Sequence, residues 1–376
     1  MSSTAIPSPA ATIRCHSAGR LRGFLRNRIL LAGWQPRALP AAGSDAVAAQ
    51  QLAHLVGPAV LEPMNVALDH ADREASHVGG CARDAYTLLY ACAAFAVLFA
   101  ACGVAASDNH LVLNLLVLAE LVMLVVLLLT FRSAHRTNWH GRWMALRFHV
   151  EFLRCLPITA ATHPDSLHAR QAREDGSAAP GLPLSDAPHL AALRNHHGKA
   201  ADASVAAQDD ALRAGRARLY LQLRAHAALE PATYAARALT YGRVLAGQQL
   251  RYHCIRAQQE QAIVHRVHAL SMAAFGLTVV AVLVHFCWHS ALLTIICTGV
   301  PAFAASLHGF LAQEESERLA ASFSAMAVRL QGWLDRPDPA GLAAMQERLG
   351  ELAELLMGEM QDWHRLFGDK GMYHLG

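Results

Sequence analysis

The sequence predicts an all-α membrane protein with two transmembrane helical hairpins, four spans in all, and long cytoplasmic helices. Three observations lead there. Hydrophobic residues make up 54% of the 376 positions and charged residues only 16%, with a mean hydropathy of +0.23; soluble domains carry about 25% charged residues. Four runs, 85–105, 111–131, 269–286 and 291–311, are apolar all round. Each has the roughly 20 residues that cross a hydrocarbon core of about 30 Å. The runs also come in pairs joined by very short turns.

Residues 1–58 read as a basic N-terminal tail, partly disordered. Their longest apolar run, Ile29 to Gly33, is too short for a secretory signal core. The segment is either a loose tail or the remnant of a domain lost upstream.

Residues 59–156 form the first helix–hairpin–helix module, its two spans separated by ASDNH at 106–110. The helix that follows places Trp139, Trp143, Leu146, Val150 and Leu153 at steps of four and three, one helical stripe. Residues 157–205 are rich in Pro, Ala and Gly and punctuated by Pro157, Pro164, Pro180, Pro183 and Pro188, which predicts a flexible cytoplasmic linker. Residues 206–376 repeat the module. The helix around 241–268 runs into the third span without a break, and CWHS at 287–290 forms the second turn. Leu319, Phe323, Met326, Leu330 and Trp333 repeat the stripe spacing. A last helix over 342–367 carries a heptad-like seam through Met345, Leu349, Leu352, Leu356, Met360, Trp363 and Phe367, for packing on a neighbouring helix or for self-association. The repeated order of elements points to a tandem duplication.

Neither turn contains Lys or Arg, whereas 132–266 and both flanks are arginine-rich. The positive-inside rule then places both termini and the linker in the cytoplasm of a multi-pass protein of the bacterial inner membrane. The net charge of +3 is mild, and no basic patch is interleaved with aromatics, so nucleic acid is not an expected partner. The lipid bilayer is.

No enzyme signature appears: no phosphate-binding G-x-x-x-x-G-K, no H-E-x-x-H, no G-x-S-x-G. We therefore expect no catalytic residues and no cofactor. The eight cysteines include no C-x-x-C and read as packed, reduced thiols. The 22 histidines include His253, His265 and His268, but these lack carboxylates at ligand spacing, and no metal is expected.

Glu120 is the anomaly. It sits mid-way along the second span, where a bare carboxylate costs at least about 2.5–3.5 kcal/mol. Asn114 cannot pair with it within the helix, because six residues at ~100° each place it on another face. Glu120 is either a protonated acid bonded to Tyr86, Tyr90 or a threonine, or it lines a wet path. The fourth span adds Ser290, Thr294, Thr298 and Ser306 along one side, with Pro301 mid-span. Such a stripe serves close packing or a polar path.

The helix after the first hairpin, WHGRWMALRFHVEFLRCL, resembles the SLATT superfamily of membrane modules associated with SMODS and SLOG proteins. The matching positions are Trp139, Arg142, Trp143, Arg147, Glu151 and Arg154. The likeness covers roughly residues 60–376 and is poorest in the Pro-rich stretch. It implies a pore-forming effector of bacterial conflict and antiphage systems, switched by a nucleotide-derived signal. Long relatives carry a SLOG-like sensor at the N-terminus; the roughly 60 residues here have no Gly-rich nucleotide fold, so the sensor is a separate cytoplasmic protein or absent. The expectation is an oligomeric, membrane-permeabilising homo-oligomer. A small ion or proton-coupled channel or transporter using Glu120, or an anchor that recruits a cytoplasmic partner, are the alternatives.

Overall fold

The computed structural model describes residues 20–41, 43, 45–106, 109–137, 139–162 and 201–367. It is helical throughout, with no strand among the described residues. In chain order the helices are α1 (Arg20–Phe24), which passes into a π turn at Leu25–Leu30, α2 (Asp45–Val56), α3 (Pro58–Ala105), α4 (His110–Thr137), α5 (Trp139–Ala161), α6 (Ala201–Leu229), α7 (Pro231–Cys287), α8 (Ala291–Glu314), α9 (Ser316–Asp335) and α10 (Leu342–Phe367). Four of them, α3, α4, α7 and α8, carry stretches long and apolar enough to cross a membrane. At 1.5 Å per residue α3 is ~70 Å long and α7 ~85 Å, each well over twice a hydrocarbon core. As the sequence pattern predicts, the helix containing 241–268 continues unbroken through the third span.

The chain forms two compact units, and neither is continuous in sequence. The span unit takes the N-terminal residues to Gly33, Ser76–His140 and His265–Glu314; the helical body takes Trp34–Ala75, Gly141–Val264 and the residues from Glu315 on. Each expected sequence module therefore contributes to both units.

The body is built on one apolar core. Leu55, Leu153, Leu156, Leu223, Leu330 and Leu352, from α2, α5, α6, α9 and α10, all lose contact with solvent there. The stripe of α9 is buried as its spacing predicts. The seam of α10 packs into this same core through Leu349, Leu352 and Leu356. The described part of the seam is thus consumed within the chain. Trp333 ties α9 to α10: its indole donates to the Arg348 carbonyl at 3.1 Å, and the Arg348 guanidinium stacks on the ring and donates back to the Trp333 carbonyl.

Two boundaries differ from the sequence reading. The segment 45–58 is not tail. Leu52, Leu55 and Val56 of α2 are buried in the core, and Gly57, at φ +72, makes the turn that lets Pro58 start α3. A glycine that needs no Cβ clearance followed by a proline that lacks an N–H suits a helix end and a helix start. Nor does the linker begin at 157, because α5 continues through Pro157 to Ala161. A proline inside a helix costs about 3 kcal/mol. Leu156 and Ile158 beside it are fully buried, worth about 1.5–3 kcal/mol each, so burial wins. The Tyr234 hydroxyl donates to the Pro157 carbonyl at 3.2 Å. Arg224 from α6 caps the helix end by donating to the carbonyls of Ala160 and Thr162 at 2.8 and 2.7 Å. The rest of the expected linker up to residue 200, and the first nineteen residues of the expected tail, lie outside the described residues.

Within the span unit, α8 runs antiparallel to α3. A Cβ on Gly299 would meet Leu98 at 2.9 Å and one on Gly309 would meet Tyr90 at 2.5 Å, so contacts rise along α8 as they fall along α3. Cys92 and Ala96 on α3 are buried, and Ala100 one turn on is half-buried.

Candidate functional site

Glu120 lies on α4, a helix whose apolar window has none of its residues buried. Leu113, Leu116, Glu120, Met123 and Leu127 are half-buried, while Leu115, Leu118, Leu121, Val122 and Val125 are exposed. The half-buried set recurs at steps of three and four, so Glu120 shares the more sheltered face. Asn114 is exposed and off that face, as the helical arithmetic requires. Among the described residues Glu120 has no hydrogen bond and no ion pair. In particular, it does not bond the hydroxyl of Tyr86, Tyr90 or a threonine, which was the structural alternative.

Three of the four hydroxyls in the α8 stripe are hydrogen-bonded within the helix. Ser290 caps the helix, its Oγ accepting from the backbone N–H of Leu293 at 3.3 Å. Thr294 donates to the Ser290 carbonyl at 3.3 Å and Thr298 to the Thr294 carbonyl at 2.9 Å. Ser306 is half-buried on the same helix. Backbone-bonded hydroxyls of this kind need no aqueous surrounding. Among the described residues Glu120 and Ser306 are the members of the candidate path without a hydrogen bond, and Glu120 is the ionisable one of the two. Sequence reading missed Gly299 and Gly309, where α8 comes close to Leu98 and Tyr90 of α3.

In the helical body, the motif arginines do come together. Arg142 lies 3.3 Å from Glu74; Arg147 lies 2.9 Å from Glu151 and 3.6 Å from Asp72; Arg154 lies 2.9 Å from Glu151 and 3.7 Å from Asp72. Asp72 and Glu74, on α3, went unnoticed in the sequence; their sign is the charge cluster D-H-A-D-R-E at 69–74, on the helix ahead of the first span. Burial works to lower the pKa of Arg154, but the carboxylates of Glu151 and Asp72 outweigh it and hold the guanidinium more firmly charged. These pairs are partly exposed, so each is worth at most about 1 kcal/mol. What the network fixes is the register of α5 against α3. Trp143 packs beside Met144, Ala257, Leu319 and Phe323, and Trp139 is half-buried.

Buried histidines in the body are structural. His149 is 4% exposed, and Arg216 approaches its Nδ1 at 3.3 Å. Burial, with the Arg216 charge second, lowers its pKa to about 4. His253 is fully buried with Glu359 3.2 Å from its Nε2, off the line of a hydrogen bond. That contact is electrostatic. Among the described residues no three or more His, Cys, Asp or Glu side chains are grouped to hold a metal.

The chain matches no protein-family model, no curated protein and no solved structure. The resemblance to SLATT modules accordingly rests on the residues that carry it, Trp139, Arg142, Trp143, Arg147, Glu151 and Arg154.

Proposed function

We propose that the protein is a multi-pass inner-membrane effector that assembles from several copies and permeabilises the membrane through a path lined by Glu120. One observation carries this: a carboxylate in the middle of an apolar span has no partner among the described residues of its own chain. Leaving it bare in lipid costs at least about 2.5–3.5 kcal/mol. Symmetric association around an axis removes that cost by bringing one Glu120 per copy to shared water, and a ring of carboxylates favours cations. The bare outer face of α4 leaves apolar surface for neighbouring copies or lipid.

In this reading the four spans form two hairpins with outward turns at 106–109 and 288–290, and both ends of the chain are cytoplasmic. The ring contact His268–His308 at 5.8 Å supports the second hairpin, since it pairs the start of the apolar run of α7 with the last turns of α8. The helical body then receives the trigger from a separate sensor.

A second reading, an anchor that recruits a cytoplasmic partner, is favoured by the self-satisfied hydroxyls of Thr294 and Thr298. Glu120→Gln decides between them, because it keeps the shape and removes the charge. In planar bilayers the effector reading expects altered conductance or cation selectivity with unchanged membrane insertion. Wild-type protein that is monomeric in detergent and passes no current with its trigger present overturns it.

A further inference from the structure

The segment 20–33, RLRGFLRNRILLAG, holds four arginines and no carboxylate. It is bound to the base of a span: Arg266 of α7 donates to the Leu30 carbonyl at 3.0 Å and to the Ala32 carbonyl at 2.8 Å. Arg266 is three residues before the apolar run that begins at Ala269. At 1.5 Å per residue the segment is tied within ~5 Å of the place where that span enters hydrocarbon. Leu30 and Leu31 are buried and pin it inward. Phe24 and Ile29, by contrast, are 59% and 49% exposed, with Leu21 exposed on the preceding turn and Arg28 exposed beside Ile29. Apolar side chains exposed beside Arg28, held at the level of a span entry, match an interfacial segment whose apolar face dips below the headgroups while that cation meets lipid phosphates; Arg26 is buried.

From this juxtaposition we propose that residues 20–33 are an interfacial anchor that docks on anionic lipid headgroups at the arginine-rich end of the spans. The proposal rests on the reading of α7 as membrane-spanning. The occupant is lipid rather than a second protein, because the bare surface is continuous with the lipid-facing start of α7, where Leu270 and Met272 are also exposed. The lack of any carboxylate in the segment fits a polyanionic surface.

The test uses the full chain in nanodiscs, with photo-crosslinking p-benzoylphenylalanine in place of Phe24, Ile29 or, as a span control, Leu121. Nanodiscs contain phosphatidylcholine alone or phosphatidylcholine with phosphatidylglycerol, and adducts are read by mass spectrometry. We expect lipid adducts at 24 and 29 that rise several-fold with phosphatidylglycerol and fall back with Arg28→Glu, while adducts at 121 are indifferent to lipid charge. Adducts at 121 with none at 24 or 29, protein–protein crosslinks at 24 and 29 in place of lipid, or yields there that ignore phosphatidylglycerol each overturn the anchor and leave the spans standing. Absence of lipid adducts at all three positions overturns both.

Discussion

Helices α4 and α9 are of comparable length and both rich in apolar residues, yet the structure treats them in opposite ways. Along α9 the large residues Leu319, Phe323, Met326, Leu330 and Trp333 are buried against the body, and the opposite face carries residues such as Glu317, Arg318 and Arg329. Along α4 the apolar window buries nothing, with Leu115, Leu118, Leu121 and Leu128 more than half exposed. A stripe at steps of three and four has one direction in which to pack, so protein can cover it. A helix apolar on every side cannot be covered by one neighbour, and α4 is long and apolar enough for lipid to cover the rest. The two units thus differ in how much of the same hydrophobic demand the chain itself meets.

The largest expected effect separates these cases directly. Trp333→Ala should cost about 3–5 kcal/mol by opening a cavity in the body, with the loss of its hydrogen bond to Arg348 included. Leu121→Ala, on the bare face of α4, should change the unfolding midpoint of the detergent-solubilised protein hardly at all. Comparable losses from both, measured by thermal unfolding, would break the distinction between protein-covered and lipid-covered helices.

A smaller effect belongs to the body alone. His149 has a pKa of about 4 when folded and about 6.5 when unfolded. Between those values the unfolded chain binds the extra proton, so stability is highest above pH 6.5 and falls as pH drops toward 4. The loss is at most about 3 kcal/mol at 1.36 kcal/mol per unit. His149→Gln should flatten this part of a denaturation-versus-pH curve, and an unchanged slope would show that the imidazole is not held neutral.

The smallest effect sharpens the account of the span unit, which also contains tight protein contacts. A side chain at Gly309 meets the Tyr90 ring, so Gly309→Val should cost about 1–3 kcal/mol as an overpacked contact. Trimming the ring with Tyr90→Ala should restore much of it. A double-mutant cycle showing no coupling between the two positions would deny that α8 and α3 meet there.

Much of this was legible in the sequence. The four apolar runs, the buried stripes of α5 and α9, the bounds of α10 and the unbroken entry into the third span follow from composition and periodicity, which are local properties of the chain. Helix α2 was missed because its twelve residues follow a basic, proline-bearing tail, and its apolar side chains cluster late, at Leu52, Leu55 and Val56. The end of α5 was missed because Pro157 is a stop signal on its own, and only the packing of Leu156 and Ile158 overrides it.

Sequence alone placed the four apolar runs and the striped helices, since a helix's own pattern decides how many of its faces are apolar. Only the tertiary structure decided who meets whom. It gathered Asp72 and Glu74 with Arg142, Arg147, Glu151 and Arg154, though about seventy residues separate the two groups. It spent the described part of the α10 seam inside the chain, and it turned Ser290 into a helix cap. It also left Glu120 without a partner among the described residues. Pairing depends on directions in space, and a one-dimensional pattern fixes only the side of the helix from which each residue must look for one.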